Sequence, residues 1–337
     1  MPDSVKISVL VSTYASEEFM AECLDDLVGQ SAADRLEIVV VDANSPQNEG
    51  GIVARYAERF PRINYIRTPE RIGIYAAWNV AIRAARGEYL LSFSTNDRLA
   101  PDACEVLSRY LDEHPEVDLV YGDTHLTDLP HQRFDSFSPS QGPEGPAWSW
   151  PAFSYFDLIA SCTVGPHPMW RKQAHAEVGY FDESYKSVGD QDFWLRLGRT
   201  HTIRHIAHFT GLYWCDAKAL SASTVALQEL EPIRKAYMGE YLGKKRFGPC
   251  DAARMAVLQC LERNRIAEAV GRFQVDLVPC LLGELAKLAE AVGTLAQQGK
   301  YERAQALLRA GAARLPDFPE IERMQSLLAE MAAKSRT

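Results

Sequence analysis

Residues 73–103 read GIYAAWNVAIRAARGEYLLSFSTNDRLAPDA, and the reading of this stretch decides the fold. Ala77, Ala81 and Ala84 recur at helical spacing, and Gly87 is expected to close that helix as a C-terminal glycine. Tyr89–Phe93 (YLLSF) follows as a short apolar run without alternation, the pattern of a strand buried on both faces. The polar cluster Ser94-Thr95-Asn96-Asp97 comes next, and a second helical period, Ala103, Leu107 and Leu111, comes after it. Helix, strand, polar strand end and helix make one turn of a βα alternation.

The alternation extends in both directions. Lys6–Val11, Glu37–Val41, Ile63–Ile66 and Leu119–Tyr121 read as further strands. Phe19, Cys23, Leu24 and Leu27 share one helical face, and Ile52, Tyr56 and Phe60 share another. The expectation is an α/β body with a mostly parallel sheet covered on both faces. Between Pro130 and Pro151 proline, serine, glycine and the tryptophans Trp148 and Trp150 replace that texture, which reads as a long surface loop. Regular texture resumes near Phe156 and runs through Thr210–Tyr213, and from about Leu220 the pattern is wholly helical. The expected organisation is a body over residues 1–217 and an all-α region over 218–337. Within the latter, Glu284–Gln298 and Tyr301–Leu315 form a helix pair (about 284–316) punctuated by Gly299, with Pro316 and Pro319 beyond. With Ala304 and Leu308, this pair resembles one unit of a tetratricopeptide repeat, so the tail is expected to pack on the body, form homo-oligomers, dock a protein or meet a membrane surface.

Composition narrows the classes. The chain has 337 residues, 47% apolar and 24% charged, with a formal net charge of -9. That is an ordinary globular composition, and its acidity speaks against a protein built to grip nucleic acid. Apolar runs such as Ile74–Trp78 and Val278–Leu282 are far shorter than the ~18–20 residues of a membrane span. Met1-Pro2-Asp3-Ser4 lacks the basic start and apolar core of a signal peptide, so a cytoplasmic protein is expected, with a peripheral place at the inner membrane face as one setting. Seven cysteines (23, 104, 162, 215, 250, 260, 280) never form C-x-x-C, so reduced buried thiols are expected rather than a zinc site or a disulfide framework.

In open α/β sheets ligands bind beyond the carboxyl ends of the strands. Three polar clusters stand there: Ser12-Thr13-Tyr14, Asp42-Ala43-Asn44-Ser45 and Ser94-Thr95-Asn96-Asp97. Each alone reads as ordinary turn chemistry, but together they point to one site. Tyr14 offers a stacking face for a nucleobase and Asp42 an acceptor for a ring N–H. Asn79, mid-helix, needs a partner, either a helix-to-loop hydrogen bond or the donor site.

At this point the sequence resembles a known family. KISVLVSTY (6–14), EIVVVDANS (37–45), the stretch 73–103 and VGYFDESYKSVGDQDFWLRL (178–197), in this order, look like inverting family 2 glycosyltransferases with the GT-A fold, over roughly residues 5–215. Gly165–Arg171 (GPHPMWR) is similar to an acceptor-side segment of one bacterial subgroup. The resemblance implies transfer of a sugar from a UDP-, GDP- or dTDP-linked donor to a glycan, lipid-linked or protein acceptor, with inversion, in bacterial surface glycan or glycoconjugate synthesis. Donor contacts then fall to Ser12, Thr13, Tyr14, Asp42, Asn44, Arg71, Asn79, Ser94, Thr95 and Asn96, and acceptor-side contacts to His167, Trp170, Asp192 and Trp148. Asp190 matches the catalytic base; by itself an acid there also suits a helix N-terminal turn.

The family's Asp-x-Asp element, which holds Mn2+ or Mg2+ against the donor diphosphate, is depleted. Ser94 stands at its first Asp and Asn96 at its second, leaving Asp97. Three outcomes are open: a cation held by Asp97 and Asn96, a diphosphate neutralised by Arg71 or Arg98, or a non-catalytic nucleotide-sugar-binding or scaffold relative. The intact GDQDFWLRL segment (189–197) speaks for an enzyme. A sugar-nucleotide pyrophosphorylase is disfavoured because VLVSTYASEE (9–18) has no glycine. His201, His205 and His208 have poor spacing for a metal triad, His167 reads equally as a ligand contact or a rigid turn, and the loop with Trp148 reads as an acceptor lid or an ordinary packed loop.

Overall fold

The computed structural model describes residues 5–137, 150, 152–216, 219, 223–244, 250–262, 271–312 and 319–334. The chain divides into two compact units, Met1–Phe153 with Cys162–Glu229 and Ser154–Ser161 with Leu230–Thr337.

In the first unit four parallel strands form the base of the sheet: β1 (Ile7–Thr13), β2 (Leu36–Asp42), β3 (Ile63–Arg67) and β4 (Tyr89–Phe93). All seven residues of β2 are buried, and so are all five of β4, as their non-alternating sequences require. Their side chains still divide by period two. Val9, Val11, Ile38, Val40, Leu91 and Phe93 join one core cluster with Met20 and Leu24 of α1 (Glu17–Val28). Leu10, Val39, Val41 and Leu90, on the other face, are equally buried. There α3 (Ile74–Ala84) packs on β1 and β2, burying Ala77, Ala81 and Ile82. The helix α2 (Glu49–Ala57) lies between β2 and β3 in the chain, and β3 is the part-exposed edge strand. Each fully buried Val, Leu or Ile contributes roughly 1.5–3 kcal/mol.

Beyond β4 the sheet becomes mixed. The remaining strands are β5 (Arg98–Leu99), β6 (Leu119–Thr127), β7 (Met169–Arg171) and β8 (Ile203–Trp214). Among the described residues the order is β3-β2-β1-β4-β7-β6-β8-β5. β7 runs antiparallel to both β4 and β6, and β6 pairs β8 in parallel with register shifts around Asp123. The helix α4 (Ala103–Glu113) buries Leu107 and Leu111 on the sheet. Three shorter helices follow: α5 (Tyr155–Ala160), α6 (His175–Val178) and α7 (Gly189–Gly198), of which α5 belongs to the second unit.

Gly87 does not cap α3. The helix stops at Ala84 with Ala85 extended, and Gly87 instead lies flat on β1, its N–H donating to Ser8 Oγ at 2.8 Å. A Cβ there would meet Ser8 N at 2.7 Å. The same corner holds Glu37, only 1% exposed, whose carboxylate accepts from Ser8 Oγ at 2.6 Å, Arg86 N at 2.6 Å and Arg86 Nε at 2.7 Å.

The second unit is helical: the later part of α8 (Thr224–Lys244), α9 (Asp251–Glu262), α10 (Val278–Gln297), α11 (Tyr301–Ala312) and α12 (Pro319–Lys334). The expected helix pair is present as α10 and α11. Their turn passes through Gly299 at φ +70°, with Gly299 N donating to Ala296 O and Lys300 N to Leu295 O, each at 2.9 Å. Ala304 and Leu308 of α11 are buried, as are Leu285, Val292 and Ala296 of α10. Cys250 and Cys280 are disulfide-bonded, their Cα atoms 5.9 Å apart. This corrects the expectation of reduced thiols for those two. A separation of 30 residues carries no sequence signal, because only the packing of the helices brings the pair together. Among the described residues no helix is long and apolar enough to cross a membrane.

Burial pushes the Glu37 carboxyl up, but the Ser8 and Arg86 hydrogen bonds and the Arg86 charge outweigh it, so its pKa lies below the ordinary value. A depressed carboxyl stabilises the fold above its unfolded pKa, and that contribution vanishes as the pH falls through the folded value. Glu37→Ala is therefore expected to lower stability by about 2–4 kcal/mol in urea at neutral pH, since it orphans buried donors. The gap from wild type should narrow in acid; a neutral-pH gap below about 0.5 kcal/mol would contradict this.

Candidate active site

Register assembles the site. Thr13, the last residue of β1, pairs Asp42, the last residue of β2, and Val11 pairs Phe93, the last of β4. The three polar clusters therefore leave the sheet along one edge. Ala15 and Asn44, in the loops after β1 and β2, both adopt left-handed backbone (φ 53° and 60°), which asparagine tolerates and alanine holds only when its surroundings impose it.

Arg71 carries its guanidinium over the Tyr14 ring at 4.0 Å from the centroid. Four residues further on, Tyr75 in the first turn of α3 donates its hydroxyl to Asp190 Oδ1 at 3.2 Å. Four residues of chain reach at most ~14 Å, so the segment 71–75 ties Asp190 to the same end of the sheet as Tyr14. Asp190 sits in the first turn of α7. Burial raises its carboxyl pKa above the ordinary value, while the Gln191 N–H and the Tyr75 hydroxyl pull it back. Burial, with the Asp190 charge second, raises the neighbouring Cys162 thiol and Tyr75 hydroxyl too. Gly189 is required by this packing, because a Cβ there would strike the Tyr75 ring at 2.7 Å.

Several residues expected at the ligand are engaged by the fold itself. Asp42 is fully buried and saturated: Ser45 N donates to its Oδ1 at 2.6 Å, and Tyr65 Oη (2.5 Å) and Arg67 Nη1 (2.6 Å) donate to its Oδ2. Its carboxylate anchors the loop, and half-buried Asn44, reached by Arg67 Nη2 at 3.1 Å, is the polar side chain left at that edge. Asn79 donates to Phe181 O and Glu183 Oε1 and accepts from Phe181 N at 2.8, 2.9 and 3.0 Å, the helix-to-loop bond rather than a donor contact. Thr13 is buried, its hydroxyl 3.4 Å from Glu49 Oε1, and Thr95 is buried as well. Ser12, Ser94 and Asn96 remain partly exposed at the edge.

On the acceptor side, Trp170 is fully buried, donating to His175 Nε2 at 3.0 Å and packed edge-on against Trp194 at 5.2 Å. With Phe181 and Phe193 it forms the aromatic core beneath α7. Asp192 pairs with Arg196 Nε at 2.9 Å, and Arg196 in turn holds the Val178 and Tyr180 carbonyls. Both therefore hold the scaffold under the site. His167 is 1% exposed, its Nδ1 3.3 Å from Thr210 Oγ1, and burial lowers its pKa to about 3, so it is neutral. Trp148 lies outside the described residues, as does most of the Pro130–Pro151 loop. The histidines do not converge: His201, His205 and His208 face Glu177, Asp123 and Asp102 separately.

The residues present do not fit a resident Mn2+ or Mg2+. Such cations take exposed carboxylate oxygens. The strand end offers a Ser94 hydroxyl, an Asn96 amide and Asp97, which is 3% exposed with Oδ1 accepting Trp214 N at 3.2 Å. Among the described residues no cluster of three His, Cys, Asp or Glu side chains is placed to hold a metal. Arg98 is also committed, buried and paired with Glu22 and Asp26. Arg71, exposed at the edge, is a basic side chain stacked on Tyr14. Sequence reasoning missed Tyr75 and Glu49; a tyrosine in an alanine-rich helix and an acid at a helix start both read as ordinary.

The sheet edge thus carries a stacked Tyr14–Arg71 pair, and the segment leading from Arg71 to Tyr75 ends on the Asp190 carboxylate. Residues 8–147 match the family model "Glycosyl transferase family 2". An uncharacterized glycosyltransferase of Methanocaldococcus jannaschii is 24% identical over 195 residues, covering 58% of this chain and 65% of the relative. Escherichia coli chondroitin synthase is 24% identical over 225 residues, covering 67% of this chain and 30% of the synthase. The chain thus spans less than two thirds of these relatives. Staphylococcus aureus TarS 1–349 in complex with UDP-GlcNAc superposes with a TM-score of 0.58 at 18% identity, covering 97% of this chain and 89% of that 1–349 chain. The Pyrobaculum calidifontis mannosyltransferase PcManGT with GDP-Man and Mn2+ gives a TM-score of 0.50 at 20% identity, covering 99% and 88%. The fold is GT-A: a mixed sheet of this type in the first unit, followed by a helical C-terminal region.

Gly189→Ala is expected to displace the Tyr75 ring and thereby Asp190. Turnover of a donor should fall by about tenfold or more, a cost typical of a misplaced catalytic group, while UDP or GDP affinity by calorimetry stays within about threefold. Full turnover in this variant would contradict the assigned packing.

Proposed function

We propose that the first unit transfers a sugar from a nucleoside-diphosphate sugar to an acceptor hydroxyl or amine with inversion, Asp190 acting as base. One observation supports it most: Asp190 is held by Tyr75, on the segment whose other end stacks on Tyr14. The acceptor oxygen attacks the anomeric carbon, the bond from that carbon to the diphosphate oxygen breaks with its electron pair, and Asp190 takes the acceptor proton. A carboxyl raised by burial is the stronger base for this step. Tyr14 and Asn44 meet the nucleobase, Ser12, Ser94 and Asn96 line the edge beside it, and His167, neutral and buried, lies deeper on the acceptor side.

Arg71 neutralises the leaving diphosphate in place of a cation, because the strand-end donors suit a metal poorly. UDP-, GDP- and dTDP-sugars are the donor classes; UDP-GlcNAc and GDP-Man accompany TarS and PcManGT. A glycan acceptor is the reading that chondroitin synthase among the relatives supports, with lipid-linked or protein acceptors as the alternatives. The depleted strand-end element favours one rival, a donor-binding relative without turnover.

Asp190→Asn is expected to abolish transfer and donor hydrolysis while UDP or GDP affinity stays within about threefold of wild type. Wild type that binds a nucleotide but never turns over would favour the rival; unchanged turnover in the variant would refute Asp190 as base. A chelator is expected to leave nucleotide affinity within about twofold, and a loss of tenfold or more would restore the cation.

A further inference from the structure

The two loops that reach the nucleobase edge each contain a non-glycine residue in left-handed backbone, Ala15 after β1 and Asn44 after β2. Alanine there needs a hold, and the two loops share one. One carboxylate touches both loops. Glu49, the first residue of α2, is 0% exposed, and its Oε1 accepts from Ser16 N at 2.9 Å and Ser45 Oγ at 2.7 Å, with Thr13 Oγ1 at 3.4 Å. The Ser45 hydroxyl passes the constraint on, accepting from Ala15 N at 3.0 Å and Gln47 N at 3.1 Å. Thr13 and Ser16, which flank Tyr14-Ala15, and Ser45, which follows Asn44, are thereby fixed to a single buried oxygen. The second clasp between these loops, Glu17 N to Gln47 Oε1 and Asn48 N to Glu17 Oε2, each 3.0 Å, is exposed and correspondingly weak. Glu49 Oε2, by contrast, is buried without a hydrogen-bond partner. A buried carboxylate with one idle oxygen is retained for what the other oxygen organises.

We propose that Glu49 is a positioning residue that sets both donor loops through Oε1 alone, and so governs nucleotide affinity without touching the nucleotide. The inference rests on the proposed function only in naming what the loops bind. Because one oxygen carries the role, Glu49→Gln keeps the acceptor and replaces only the idle Oε2, whereas Glu49→Ala removes the hub.

The test compares wild type, Glu49→Ala, Glu49→Gln and Ser45→Ala in the full chain. Amide hydrogen exchange of peptides covering 12–18 and 43–49 needs no ligand. Exchange in both is expected to rise about tenfold or more in Glu49→Ala, with the strands still protected, and to stay near wild type in Glu49→Gln. Affinity for UDP or GDP by calorimetry should fall about tenfold in Glu49→Ala and stay within about threefold in Glu49→Gln. Donor hydrolysis should show a raised KM with kcat within about twofold, a split that a merely destabilised fold would not give. Unchanged loop exchange in Glu49→Ala, or loosened loops with unchanged nucleotide affinity, would overturn the proposal, as would Gln behaving like Ala. If Glu49→Ala does not fold, Ser45→Ala removes the bridge to Ala15 and Gln47 and must loosen both loops. Wild type that binds neither nucleotide would overturn the proposed function, while loop exchange would still decide the hold of Glu49.

Discussion

Backbone hydrogen bonding between parallel strands admits no choice about where their ends lie, and the site depends on that constraint. Once β1 pairs β2 from Ile7↔Leu36 to Thr13↔Asp42 and pairs β4 from Ile7↔Tyr89 to Val11↔Phe93, the loops after all three must open on one edge. The register is itself held by burial on both faces: a slip of one residue would send Val9, Val11, Ile38 and Val40 out of the core they share with α1. Packing thus decides where the polar residues gather, and the polar residues decide what can be done there.

The polar groups at this edge fall into two kinds. Asp42, Asn79 and Asp192 are buried and bonded to loops or helices, as is Glu49 through Oε1, so they spend their hydrogen bonds on geometry. Tyr14, Asn44, Arg71 and Asp190 are held at one side and remain reachable at another. Asp190 combines two opposed effects: the N-terminal turn of α7 favours its charge and burial opposes it, with Tyr75 steadying the carboxylate. A carboxyl raised by burial and steadied by a hydrogen bond suits the proposed role of proton acceptor.

Much of the fold was legible because strands buried on both faces have to be continuously apolar, and Glu37–Val41 and Tyr89–Phe93 are. The helix pair around Gly299 was legible for a similar local reason. What stayed hidden was long-range. Cys250 and Cys280 meet only through helix packing, and Trp170 joins an aromatic core drawn from Phe181, Phe193 and Trp194. Asp42 and Asn79 sit where a ligand contact is expected, but their sequence positions cannot show that Tyr65, Arg67 and Phe181 reach them first. Glu49 and Tyr75 escaped notice for the converse reason, since their partners lie 33 and 115 residues away.

The net charge of -9 gains a local meaning from this arrangement. On the proposed function, an acidic protein that admits a diphosphate needs a cation or an arginine, a part that falls to Arg71 over Tyr14 while Asp97 accepts the Trp214 N–H. The most direct measurement is a crystal structure with UDP or GDP bound. The base should lie against Tyr14 and Asn44, with the diphosphate against Arg71 on the side of Asp190. A nucleotide seated away from this strand edge, or a diphosphate with no contact to Arg71, would contradict the assignment.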